Sequence, residues 1–158
     1  MKYEVYEGIR VTDDFEMFDF GSIGSKGIIL KRVLFTETEL KNVYNLTFGD
    51  VDENGEIDDY AVSNNGDRNK VLATIAHIVQ IYTKRYPDRW ILFEGSTTNR
   101  TRLYRIAVGS HLEELSTKFD IYAYVDERIV PFAKDIKINA FLIKRKFINL
   151  NYEKDHNI

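Results

Sequence analysis

Residues Asp67–Pro87 read DRNKVLATIAHIVQIYTKRYP, and Trp90–Phe93 follow as WILF. In the first stretch Val71, Leu72, Ile75, Ile78, Val79 and Tyr82 recur at i, i+3, i+4 and i+7, which places one apolar stripe along a helix. The spacing predicts a helix from about Asp67 to Tyr86. Asp67 carries a short carboxylate that can accept first-turn N–H groups, so it is the expected N-cap. Lys84 and Arg85 sit where the helix dipole favours cations. Pro87 cannot continue the ladder and stops the helix. His77 falls at the border of the stripe and is expected to pack. The four apolar residues after the stop are too few for a helix and read as a strand. A long amphipathic helix between apolar strands points to an α+β fold.

Reading outward supports that class. Upstream, Lys2–Tyr6, Phe15–Phe20 and Ile28–Phe35 are strand candidates, the second ended by the turn-rich GSIGSKG. Leu40, Asn42, Tyr44, Leu46 and Phe48 fall on one face with Lys41, Asn45 and Thr47 interleaved, the period-two pattern of a half-buried strand. Asp50–Gly55 is a loop, and Ile57–Val62 can pair back across it. Ser63–Asp67 (SNNGD) is dense turn chemistry. Downstream, Gly95-Ser96-Thr97-Thr98 leads into a second helix from about Asn99 toward Leu115, with Leu103, Ile106 and Ala107 as its buried side and a break at Gly109–Ser110. Phe119–Val125 alternates as a strand, residues 126–138 look irregular, and Ala140–Phe147 is a last strand with a basic end. Residues 149–158 read as a polar, frayed tail. The expected architecture is one domain over residues 1–148: a mainly antiparallel sheet of about six to eight strands with two helices packed on it. The first helix anchors the core through Ile75, Ile78 and Val79.

Composition sets limits. The 158 residues hold no cysteine, so disulfides, thiolate metal sites and thiol nucleophiles are excluded. Together with an N-terminus that lacks an apolar segment, this suggests a cytoplasmic protein. No run approaches the roughly 20 apolar residues of a membrane span, so no membrane role is expected. Charge is uneven. Residues 1–66 carry 6 Lys+Arg against 14 Asp+Glu, and residues 67–158 carry 16 against 11, which together give the net charge of −3. The two halves either pair with each other or form a polar binding surface.

Five groups of residues bear on chemistry. Asp50-x-Asp52-x-Asn54-Gly55 matches the start of a calcium loop, but the twelfth position is Ala61 in place of the bidentate Glu, and the flanks are strands. A hairpin turn explains the Asn-Gly pair without a metal. Asp58 and Asp59, with Asp50, Asp52 and Asp67, form an acidic cluster, yet adjacent strand residues point to opposite faces. His77, His111 and His156 are isolated, so no metal and no cofactor are expected.

The richest stretch is Gly95–Arg105, GSTTNRTRLYR. Ser96, Thr97 and Thr98 supply hydroxyls at a helix start, where free N–H groups and the dipole favour anions. Arg100, Arg102 and Arg105 add charge suited to phosphate. The competing explanation is a plain hydroxyl cap with arginines paired elsewhere. Lys144, Arg145 and Lys146, flanked by Phe141, Phe147 and Tyr152, mix charge with rings. That mixture suits single-stranded nucleic acid, or else protects an edge strand.

The blocks NLTFGD (Asn45–Asp50), Asp58-Asp59, SNNGD (Ser63–Asp67), VLATIA (Val71–Ala76), GSTTNRTRLYR (Gly95–Arg105) and LIKRKF (Leu142–Phe147) resemble an uncharacterised bacterial family of unknown function. The resemblance brings no activity and no catalytic residues. In element order alone, four strands followed by a long helix look like the half-unit of Whirly-type and Pur-type single-strand binders. The expected function is a non-enzymatic domain binding nucleic acid or a phosphate-type anion through Ser96, Thr97, Thr98, Arg100, Arg102, Arg105, Lys144, Arg145 and Lys146. The alternatives are an enzyme acting on a phosphorylated small molecule, with Asp50 or Asp67 as its acid, and a protein-interaction module that includes homo-oligomers.

Overall fold

The computed structural model describes residues 3–58 and 64–147. These residues form nine strands in one sheet and three helices. The strands are β1 (Arg10–Val11), β2 (Met17–Gly24), β3 (Gly27–Glu37), β4 (Val43–Val51), β5 (Ile57–Asp58), β6 (Trp90–Phe93), β7 (Phe119–Val125), β8 (Arg128–Pro131) and β9 (Ala140–Arg145). The helices are α1 (Arg68–Arg85), α2 (Thr98–Ser110) and α3 (Leu112–Leu115). Across the sheet the order is β1-β2-β3-β4-β6-β9-β7-β8, with β5 paired to β4. Every pair is antiparallel except β4 with β6, where Val43 lies opposite Trp90 and Leu46 opposite Phe93. A parallel pair needs a crossover connection, and α1 supplies it. The α+β class holds.

Strand alternation sorts the sheet into two faces. Phe18, Phe20, Val33, Phe35, Leu46, Ile91 and Phe141 turn to one face and are almost fully buried there. Helix α1 covers that face with Val71, Ile75, Ile78, Val79 and Tyr82. The Phe35 and Tyr82 rings stack at 3.7 Å, 5° from parallel. Helix α2 packs on the same face, with Tyr104 4.7 Å from Phe93. The opposite face carries Trp90, Leu92, Tyr122, Leu142 and Lys144, by their register in β6, β7 and β9, and none of the described helices lies on it. Arg89 closes the link from α1 to β6. It donates to Tyr82 Oη at 2.8 Å and lies 3.6 Å from the Tyr86 ring and 4.0 Å from the Tyr44 ring. Burial pushes the Tyr82 phenol up to about 12, against the pull of the Arg89 hydrogen bond.

Several local expectations are corrected. Tyr3–Tyr6 is not a strand. Tyr6 N–H donates to Thr74 Oγ1 of α1 at 2.9 Å, so a helix side chain takes its backbone donor. Strand β2 runs through the supposed turn to Gly24, and the reversal narrows to Ser25–Lys26. Asn65 holds it: the amide donates to Ser22 O, Ser22 Oγ and Gly27 O and accepts from Lys26 N at 2.7 Å. A Cβ on Gly24 would sit 1.8 Å from Asn65 O, so only glycine fits there.

Asp67 precedes α1 but caps it with no side-chain hydrogen bond. Its carboxylate accepts instead from Tyr6 Oη and from Ser22 Oγ. Burial and the Asp67 carboxylate hold the Tyr6 phenol above its ordinary value. Residues 126–138 contain β8, joined to β7 by Asp126 and Glu127 at φ 48° and 66°. Both central residues of this tight turn are left-handed, but neither is the Asn or Gly that signals it in a sequence. Leu103 and Ile106 are exposed, and His77 is exposed too. Residues 59–63, part of the strand expected over Ile57–Val62, and the tail 149–158 lie outside the described residues.

Candidate anion-binding cleft

Strand β6 stops at Phe93 while its parallel neighbour β4 runs on to Val51. The mismatch leaves a notch beside β4 at the carboxyl end of β6, the position where open sheets with parallel strands place ligands. The turn into α2 closes one side. Gly95 N–H donates to Thr101 Oγ1 at 3.0 Å. A Cβ on Gly95 would lie 2.4 Å from Thr101 N and 2.6 Å from Arg100 Cβ, so the bare glycine lets the first turn of α2 approach. Thr97 is extended, at φ −133° and ψ 160°, and its Oγ1 accepts from Arg100 N at 3.2 Å as the N-cap.

This geometry brings Ser96 and Arg100 together, with Arg100 Nη1 donating to Ser96 Oγ at 3.2 Å. Tyr104 follows one turn later on the same side. Asn45, Leu46, Thr47 and Phe48 of β4 form the facing wall, and Asn45 Nδ2 donates to Thr47 Oγ1 at 3.3 Å. The cleft between them has a volume of about 320 Å³, with the exposed Glu94 at its rim. It offers the Arg100 guanidinium, the Ser96 hydroxyl, the Tyr104 phenol and one carboxylate, while Asn45 and Thr47 alternate with Leu46 and Phe48 and reach the cleft only from the helix-free side of β4. That set can bind a small anion through neutral and charged donors at once.

The expected site residues separate. Ser96 and Arg100 line the cleft. Thr97 is spent on the cap, and Thr98 is an exposed first helical residue. Arg102 is exposed and, two positions on from Arg100, lies across the helix from it. Arg105 donates to Ile136 O at 3.1 Å, which ties α2 to the segment before β9. Lys144 lies on the helix-free face, its Nζ 5.6 Å from the Trp90 ring. Arg145 points the other way and donates to Gln80 O at 3.2 Å and Thr83 Oγ1 at 3.3 Å. Lys146 lies 4.0 Å from Asp120. Asp50 pairs with the buried Lys31, and Asp52 braces its own hairpin by accepting from Asn54 N and Glu56 N. Neither Asp50 nor Asp67 lines the cleft. Asn45, Thr47, Glu94 and Tyr104 were not among the residues expected from the sequence. The interleaved Asn45 and Thr47 were visible only as the polar side of a strand.

A family model matches residues 2–146, and its description reads "Family of unknown function (DUF6934)". The chain belongs to DUF6934. No curated protein matches it, and no solved structure does. The likeness in element order to Whirly-type and Pur-type binders is not shown by them. Of the blocks that resemble an uncharacterised family, NLTFGD and GSTTNRTRLYR supply the two walls of the cleft. SNNGD supplies Asn65 and Asp67, which hold the β2–β3 turn and Tyr6. Among the described residues no helix of this DUF6934 domain is long and apolar enough to cross a membrane.

Proposed function

We propose that this domain binds a small anionic ligand of the phosphate class in the cleft between β4 and the start of α2. One observation carries the reading. The Arg100 guanidinium is held beside Ser96 in the first turn of a helix, on an open cleft whose other wall is β4. A helix N-terminus favours negative charge, and a guanidinium positioned within it adds a directional partner. A small ligand is favoured over a long polyanion because the other cations of the expected site are dispersed to the opposite face, to α1 and to the segment before β9. A cytoplasmic setting, where phosphorylated small molecules abound, agrees with a chain that has no cysteine. Glu94, rather than Asp50 or Asp67, is the carboxylate near enough to take part in chemistry on such a ligand.

The test is thermal unfolding with inorganic phosphate and simple phosphate monoesters, against Arg100→Gln. A ligand at about 100 times its Kd raises stability by about 2.7 kcal/mol. The native chain is expected to show a phosphate-dependent rise in Tm that Arg100→Gln removes and Arg102→Gln leaves intact. An equal rise in all three proteins would defeat the assignment.

A second reading rests on the helix-free face. Trp90 and Tyr122 lie 5.6 Å apart there, with Lys144 over Trp90. Rings and a cation on an open sheet suit stacking of single-stranded bases. Anisotropy with labelled single-stranded DNA and RNA at about 50 mM and about 200 mM salt decides it, since phosphate contacts weaken steeply with salt. Retention of binding by Lys144→Gln with Trp90→Leu would refute it.

A further inference from the structure

Beneath the cleft lies a second space, between α1, α2 and the sheet. Its walls include Leu72, Ile75, Ala76 and Val79 of α1 and Ala107 and Val108 of α2, and its volume is about 80 Å³. The lining is almost wholly apolar, and Leu46, Phe93 and Tyr104 line both this cavity and the polar cleft. The cleft and the cavity are therefore neighbours across three side chains. Leu46 and Phe93 are buried in the core, whereas Tyr104 is half-buried and stands between the two spaces on an exposed helix.

An apolar pocket that opens to solvent costs stability, because its walls keep apolar surface in water. Water gains nothing by entering, since it would find no hydrogen-bond partners. At about 80 Å³, this pocket has room for a hydrocarbon group of about three or four carbons.

We propose that the ligand is an amphiphilic anion, with a phosphate-type head in the cleft against Arg100 and Ser96 and a short hydrocarbon group in the apolar cavity past Tyr104. This rests on the anion reading of the cleft and adds the substrate class. Neither space alone makes the assignment. The cleft holds the charge complement to the head, and the cavity adjoining it matches a small apolar tail and nothing polar.

The experiment is calorimetric titration with n-alkyl phosphates from methyl to hexyl. Burial of each methylene is expected to tighten binding about fourfold. Affinity should climb over the first three or four carbons and then level off. Ala107→Leu fills the cavity, and it should flatten the series to the level of methyl phosphate while methyl phosphate itself binds unchanged, which also certifies the fold. Ala76→Val, a smaller filling from the opposite wall, should reduce the slope in the same direction.

A flat series in the native chain, with methyl phosphate bound, would overturn the amphiphile inference and leave the anion cleft standing. So would a rising series that neither filling variant changes, because the tail would then lie elsewhere. Absence of binding by methyl phosphate and by every longer member would remove the anion reading itself, and this inference with it.

Discussion

Gly95→Ala is a single methyl group that should act on both fold and site. The backbone at Gly95 is not in the left-handed region, so alanine is conformationally allowed and the cost is steric. The added Cβ would meet Thr101 N at 2.4 Å, Arg100 Cβ at 2.6 Å and Arg100 C at 2.7 Å. These are main-chain atoms or atoms fixed to it, so no rotamer change relieves them. Restoring 2.4 Å to the 3.4 Å of ordinary contact moves the first turn of α2 by about 1 Å. Overpacking of this kind costs about 1–3 kcal/mol. The smaller entropy of the unfolded alanine chain returns about 0.4–1 kcal/mol. The net expectation is about 1–2 kcal/mol, or a Tm lower by about 2–8 °C for a chain of this length. The same shift carries Arg100 away from Ser96, where their 3.2 Å contact has little room to lengthen. Loss of one charge-assisted contact to a bound anion should weaken phosphate binding about tenfold. The assay is thermal unfolding by circular dichroism with and without phosphate. Gly21→Ala provides the comparison, since its Cβ would meet only the Ile28 Cγ2 methyl, at 3.3 Å, on an exposed side chain. If Gly95→Ala melts like the native chain and keeps the full phosphate shift, the claim that this glycine seats α2 against the cleft is wrong.

Three further outcomes are expected. Asn65→Ala removes a buried amide with four partners around the β2–β3 turn and should cost about 2–3 kcal/mol in urea unfolding, with no change in phosphate affinity. Lys31→Ala withdraws the ammonium from the Asp50 carboxylate on the helix-covered face and should cost about 3 kcal/mol or more, whereas Lys31→Met with Asp50→Leu should cost much less. The Tyr82 phenol titrates at about 12 in the fold against 10.0 for an unperturbed tyrosine, so the folded chain holds this proton longer. Its stabilisation is complete below pH 10 and is lost as the pH rises through about 12. Urea midpoints should fall between pH 9 and pH 11.5, by up to about 2 kcal/mol, and less in Tyr82→Phe; an equal fall in both would assign the effect to other groups.

Helix α1 was legible because its determinants are local. The stripe from Val71 to Tyr82, the basic last turn and Pro87 all act within one element, and its bounds came out within about a residue. The strands were legible wherever alternation was strong, and they failed where a non-local partner decided the outcome. Tyr6 is drawn onto α1 by Thr74 and Asp67, which lie more than sixty residues away. Gly21–Gly24 read as a turn because Asn65, the residue that holds this hairpin closed, belongs to a different part of the chain.

Helix α2 shows the same limit in its facing. Leu103 and Ile106 are its most apolar residues and are exposed. Tyr104, Ala107 and Val108 turn to the core instead, and the bonds from Thr101 to Gly95 and from Arg105 to Ile136 hold the helix in that rotation.

The cleft is the furthest from the sequence. Ser96 and Arg100 announced themselves by type, but three arginines in six residues looked like one patch. On a helix they diverge, so only Arg100 reaches the ligand space. Its other wall exists because β4 and β6 are parallel and one ends before the other, a matter of register that no local pattern encodes. The hydroxyl-rich turn therefore marked one wall of the proposed cleft, and the sheet topology decided which residues form the other. That division also sets the order of experiments. Substitutions at Ser96 and Arg100 test the chemistry, while substitutions at Asn45 and Thr47 test the topology, because those two matter to a ligand only if the parallel pairing stands.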